Sequence, residues 1–243
     1  LGELHLATIL QQIKDRQGLE VITQLPSIAY RETITAKAEG HHRHKKQTGG
    51  AGQFGEVYLR IEPLPQGAGF EFGSAVVGGA IPSQFIPAVE NGVKQAMAEG
   101  AVNGYPMQDI KVTVYDGKHH SVDSKEIAFV QAGKKAFLDA VAKARPIVME
   151  PIVNAEFSIP PDAVGGVTGD LSGMRGMITG TDALPDGRAL VTGQVPLQEL
   201  QGYHSRLKSL TGGDGSFTMD FSHYAEVPAL QLKELKEATA ESA

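Results

Sequence analysis

GHHRHKKQTGGAGQFGEV, residues 40–57, sets Arg43, Lys45, Lys46 and the histidines His41, His42 and His44 against five glycines, in a chain of 243 residues with a formal net charge of −6. Cations crowded on an acidic body repel one another unless an anion or water takes them up. The glycines let backbone approach that anion closely. The residues after these glycines decide the fold. Val57, Leu59 and Ile61 alternate with polar residues, so 56–62 reads as a half-buried strand. The stretch is thus read as an exposed cationic loop running into a strand.

That strand also decides between chemistries. Gly50, Gly52, Gly55 and Val57 spell G-x-G-x-x-G-x-V, the glycine-loop pattern of protein kinases and, without the valine, of dinucleotide-binding folds. A dinucleotide loop opens a helix, whereas here a strand follows. A kinase needs a strand lysine, an H-R-D loop and a D-F-G aspartate; residues 58–65, YLRIEPLP, hold no lysine, and neither triplet occurs in the chain. A glycine-loop phosphotransferase is the rival reading from another functional class. The phosphate loop G-x-x-x-x-G-K-[ST] is absent as well.

Two further readings apply to the same residues. The three histidines with His119 and His120 could form a metal cluster, but Arg43, Lys45 and Lys46 would repel an arriving dication. The other partner is RNA: Arg43, Lys45 and Lys46 neutralise phosphates, while Gln47, Gln53, His44, His119 and His120 can hydrogen-bond to ribose or base edges. Residues 116–118, Asp-Gly-Lys, read as a turn after a strand at 110–115, placing His119 and His120 at its end. Ser124 is a candidate N-cap for a helix over 124–144, and Asp123 and Glu126 read as its charged first turn.

Outward from this centre, Ile81, Phe85, Val89, Val93 and Met97 recur on one side of a helix that ends before Gly100. Residues 4–17 read as a helix stopped by Gly18, and 19–22 as a strand. One helix and one strand cannot close a core, so the chain is expected to begin inside a domain, with 26–31 as a linker. Residues 149–223 read strand, helix, strand, helix, strand, with a turn at Pro185-Asp186-Gly187 and a helix over 197–210. A small antiparallel sheet with two helices on one face is the simplest packing. Arg175 lies in GDLSGMRG (169–176), and Arg206 and Lys208 sit on a surface helix. An amphipathic helix over 230–243 closes the chain.

With no cysteine, disulfides, thiolate metal sites and a cysteine nucleophile are excluded, and the composition fits a cytoplasmic protein. No apolar run approaches the ~20 residues that span a bilayer, so no membrane partner is expected.

LGELHL (1–6), PSIAYRETI (26–34), KKQTGGAGQFGEV (45–57), GGAIPSQFIPAVENGV (78–93), HHSVDSKEIAF (119–129), EPIVNAEFSIP (150–160), GDLSGMRG and LKSLTGGDGSFTMDF (207–221) follow one another in order. Together they resemble the C-terminal half of bacterial elongation factor G or a similar translational GTPase. The resemblance implies an α+β fragment. Residues 1–25 would end a third, ferredoxin-like domain. A fourth, ribosomal-protein-like α/β domain with a left-handed β-α-β crossover would span 26–148. A fifth, ferredoxin-like α/β sandwich with an antiparallel sheet would span 149–225, and 226–243 would form a helix packing towards the fourth.

It further implies a ribosome-binding role, with ribosomal, transfer and messenger RNA as partners. The tip residues carried over are Gln47, Gly49, Gly50 and Gln53 in one loop and His120, Val122, Asp123 and Ser124 in the other. Arg175, Arg206 and Lys208 would be fifth-domain contacts. This chain would be no enzyme and hold no cofactor; GTP and Mg would belong to a GTPase domain of the parent protein, which would drive translocation. A paralogue acting in ribosome recycling or protection is the alternative within the family.

Overall fold

The structure, a computed structural model, describes the backbone of residues 3–22, 27–47 and 52–241 and the side chains of all of these except 3–6 and 236–241. The chain divides into two compact units, residues 1–29 with 150–225 and residues 30–149 with 226–243. In chain order the elements are α1 (Glu3–Gln17), β1 (Arg31–Ile34), β2 (Ala38–Lys46), β3 (Gln53–Pro63), β4 (Phe70–Ser74), α2 (Ile86–Glu99), β5 (Ile110–Lys118) and α3 (Glu126–Lys143). There follow β6 (Pro146–Ile159), α4 (Val164–Gly173), β7 (Met177–Ala183), β8 (Ala189–Pro196), α5 (Tyr203–Leu210), β9 (Ser216–Glu226) and α6 (Ala229–Glu241).

The unit built on 30–149 carries a four-stranded mixed sheet in the order β2-β3-β5-β4. β2, β3 and β5 are antiparallel neighbours, whereas β4 runs parallel to β5 and reaches it through α2, a β-α-β unit. Val57, Leu59, Ile61, Val112 and Val114 point from one face into the same core as Val89 and Val93 of α2 and Phe129 and Phe137 of α3. The period-2 strands and 3.6-period helices share this one core. β1 pairs with the first residues of β6. From β1, Glu32 is fully buried, and its carboxylate accepts the backbone N–H groups of Ala101 (2.7 Å), Val102 (2.9 Å), Asn103 (2.6 Å) and Tyr105 (3.2 Å). Four donors match the lone-pair capacity of one carboxylate, which is how this charge is tolerated inside.

In the other unit β6, β7, β8 and β9 form a sheet in which β6 lies between β9 and β8, and β7 is the edge beyond β8. With α4 and α5 in the two crossovers this is the β-α-β-β-α-β arrangement of ferredoxin-like folds. Its core joins Phe157, Ile159, Val167, Leu171, Val191, Val195 and Leu207, and Phe157 stacks on Phe217 at 5.3 Å.

Several sequence expectations are corrected. Residues 40–46 are strand rather than loop, because β2 pairs along its whole length with apolar β3. Residues 70–74 form a strand that the sequence reading left out. Residues 116–118 continue β5: Asp116 and Gly117 pair with Tyr58 and Val57, and a Cβ at 117 would collide with the Glu56 carbonyl and the Ile81 side chain. Glycine there serves close approach, not a turn. Residues 19–22 form no strand. The helix expected over 197–210 is broken into a short 3₁₀ turn, Leu197–Leu200, and α5, because Gly202 takes φ +76° between them. The expected turn at 185–187 does join β7 to β8.

Candidate nucleic-acid interface

β2 and β3 form a hairpin whose register pairs Arg43 with Glu56, His44 with Gly55, Lys45 with Phe54 and Lys46 with Gln53. Alternation along β2 sends His41, Arg43 and Lys45 to one face and His42, His44 and Lys46 to the other. On the first face the His41 ring stacks on Tyr58 at 4.1 Å, and its Nε2 lies 2.8 Å from an oxygen of buried Glu56. The Arg43 guanidinium lies over the Phe54 ring at 5.1 Å, a cation–π contact, with Nε 3.8 Å from Glu56. On the second face His44 Nε2 meets Gln53 Oε1 at 3.1 Å. His42 has its imidazole held below the usual histidine range, first by burial and then by the charge of Lys135 on α3.

The second loop, residues 119–124, folds onto the turn end of this hairpin, at Phe54. The Phe54 N–H donates to the Asp123 carbonyl at 2.9 Å, and the Ser124 hydroxyl donates to the Phe54 carbonyl at 3.0 Å while accepting the His120 N–H at 2.8 Å. Ser124 is therefore a tie between loop and strand, not the helix N-cap; Lys125 holds that position, without a side-chain cap. Asp123 likewise lies outside the first turn of α3, where Glu126 stands alone. Gly52 completes the join, since a Cβ there would sit 2.8 Å from the Asp123 carboxyl carbon.

Between hairpin and loop lies a cleft of about 220 Å³, lined by Arg43, Lys45, Lys46, Gln47, Gly52, Gln53, Phe54, His120 and Asp123. Three cations face one carboxylate here, beside two amides and an imidazole. That set suits an oxyanion flanked by hydrogen-bonding edges. Seven residues expected from sequence are brought together: Arg43, Lys45, Lys46, Gln47, Gln53, His120 and Asp123. His44 is engaged with Gln53, and His119 reaches the Ala80 carbonyl at 3.2 Å instead. Gly49 and Gly50 lie outside the described residues. Sequence reasoning missed Phe54, the aromatic floor under Arg43. It also cast Gly52 only as part of a nucleotide pattern. Gly55 and Val57 of that pattern lie inside β3, between two strands, so the strand-to-helix cradle of a dinucleotide loop is not built. Among the described residues no group of three or more His, Cys, Asp or Glu could hold a metal ion.

The other unit treats its arginines differently. Arg175 makes two hydrogen bonds to Glu150 and a third to Glu199, the last at 3.0 Å. The Glu150 side chain is 3 % exposed and that of Arg175 24 %. This bonding raises the guanidinium above its ordinary range, first through Glu150. Arg175 is thus tied into the fold by two carboxylates, unlike the lysines of the hairpin. Arg206 pairs with Asp170 at 3.1 Å, and Lys208 is exposed with no ion pair among the described residues.

Residues 26–145 match the family model described as elongation factor G, domain IV, and residues 147–235 match the one described as elongation factor G C-terminus. Elongation factor G of Aquifex pyrophilus is 49% identical over 228 residues, which make up 94% of this chain and 32% of that protein. The chain thus spans about a third of the length of this curated relative. A crystal structure from Thermus thermophilus is similar at a TM-score of 0.86 and 41% identity, covering 99% of this chain and 36% of that one.

Proposed function

We propose a ribosomal role for a chain that belongs to the elongation factor G family: the end of the 30–149 unit that carries the cleft contacts RNA. The partners on this reading are the small-subunit decoding RNA and the transfer RNA paired with messenger RNA, in the cytoplasm. The chain contributes binding and steric guidance. GTP hydrolysis, and with it the drive for translocation, would come from a domain of the parent protein. Arg206 and Lys208 in the other unit are proposed as a second, weaker contact with ribosomal RNA.

The observation that supports this reading best is the cleft itself. The end of a hairpin and a loop more than sixty residues away in sequence converge so that Arg43, Lys45 and Lys46 stand beside Gln47, Gln53 and His120. Each phosphate neutralised by such a cation releases counterions and adds about −0.7 to the log–log salt slope for single strands. Ribosome binding by this chain, followed by pelleting at rising salt, should therefore weaken steeply. The triple variant Arg43→Ala, Lys45→Ala, Lys46→Ala should reduce the slope by about 2. An unchanged slope would remove the cleft from the contact and end this reading.

A further inference from the structure

The second loop closes on the ring of its own histidine. His120 Nδ1 lies 3.3 Å from the backbone nitrogen of Val122 and 3.2 Å from that of Asp123, both of which are donors. A backbone N–H can only donate, so the ring nitrogen facing both must offer a lone pair. The Asp123 carboxylate stands 3.5 Å from the same nitrogen, longer than a good hydrogen bond, and a proton placed there to reach it would cancel both backbone bonds. Nδ1 is therefore bare, and the ring proton of the neutral imidazole sits on Nε2. Nε2 has no partner among the described residues, on a side chain that is 54 % exposed and lines the cleft.

Ser124 holds this arrangement in place. Its hydroxyl takes the His120 N–H and passes its own proton to the Phe54 carbonyl, while its N–H donates to the His120 carbonyl at 3.1 Å. The loop is thereby closed at both ends and attached to β3. Through the rest of the loop this fixes the distance between ring and backbone donors.

We propose that His120 acts in the cleft as a neutral, oriented N–H donor through Nε2, with Ser124 as the positioning residue that selects this tautomer. Its ligand atom is then an acceptor: a phosphate or ribose oxygen, or a base carbonyl or ring nitrogen. The recognition half rests on the proposed RNA contact; the tautomer half stands on the loop alone. Lys45 and Lys46 supply the charge that draws RNA in, and His120 supplies direction.

Ring-nitrogen correlation spectra of ¹⁵N-histidine-labelled chain at neutral pH read the tautomer without any ligand. Nε2–H with bare Nδ1 is expected at His120, and Ser124→Ala should mix the tautomers. A spectrum with Nδ1 protonated overturns the inference while leaving the proposed RNA contact untouched. Ribosome pelleting reads the recognition half, using two substitutions that separate the nitrogens. His120→Gln carries its amide N–H to about the Nε2 position and should bind within about threefold of the parent. His120→Asn, reaching only the Nδ1 position, should lose about tenfold, as one hydrogen bond removed implies. Rescue by Asn instead of Gln overturns the proposal. Equal binding by both variants and the parent, with the tautomer as expected, overturns the recognition half and counts against the RNA reading itself.

Discussion

The hairpin of β2 and β3 and the α4–β7 corner that carries Arg175 hold the same kind of residue and put it to opposite use. At the corner, one guanidinium is enclosed by two carboxylates, one of them almost fully buried. At the hairpin, Arg43 lies over an aromatic ring with a carboxylate 3.8 Å away, and Lys45 and Lys46 have no ion pair among the described residues. A cation held by buried acids contributes to the fold, whereas one left to solvent beside a cleft remains available to a ligand. The contrast lies in what surrounds each charge, since both sites are basic residues within four positions of a glycine in the sequence.

Breaking the corner should have the largest effect. Arg175→Ala leaves Glu150 as an unpaired buried charge, and the stability read by urea denaturation should fall by about 3–5 kcal/mol. Arg175→Lys should recover part of this, because one ammonium cannot reproduce the forked pairing. If Arg175→Ala instead kept its stability and lost ribosome affinity, the contrast would be inverted. At the hairpin, Lys45→Ala and Lys46→Ala should each leave stability within about 0.5 kcal/mol of the parent while shifting the salt slope. Comparing Arg206→Ala with Lys208→Ala sharpens the intermediate case: loss of the unpaired lysine should alter ribosome binding more than loss of the arginine that Asp170 already holds.

The smallest effect expected is a pH dependence at the hairpin's inner face. His42 has a folded pKa below its unfolded value of about 6.5, so the unfolded chain takes up protons first as pH falls. The stability it contributes is present above about pH 6.5 and is lost as pH falls towards the folded value. Thermal melts at pH 7.5 and 5.5 should show this decline, and His42→Asn should lessen it. Asp139, held below its ordinary range first by Lys143, acts in the same direction but only in acid, below the unfolded carboxylate value near 4.

Periodicity carried much of the fold. The apolar stripes of α2 and α3 and the alternation in β3, β5 and β6 are legible because each buries one face on a shared core. β2 was not, because Gly40 to Lys46 has no apolar or β-branched residue to mark it. Its strand character comes from pairing with β3 and from Gly40 fitting closely against Ala136 and Ala140 of α3. The cleft was legible as two loops of basic and amide residues. That they meet was implied by family resemblance, and the hydrogen bonds of Ser124 to Phe54 and His120 are tertiary facts without a local signal. The same holds for Arg175, whose partners Glu150 and Glu199 lie 25 and 24 residues away.

The backbone amides that enclose Glu32 come from 69 to 73 residues further along the chain. Stripping water from that carboxylate before the amides arrive would be costly, so β1 cannot settle early on a nascent chain. It waits for α2 and the segment after it, and then for the start of β6 as a pairing partner. Such distant closure is entropically slow, which makes the first strand of this unit one of the last parts to lock. Until residues through the start of β6 are present, the segment around Glu32 has neither all its amide partners nor its pairing strand.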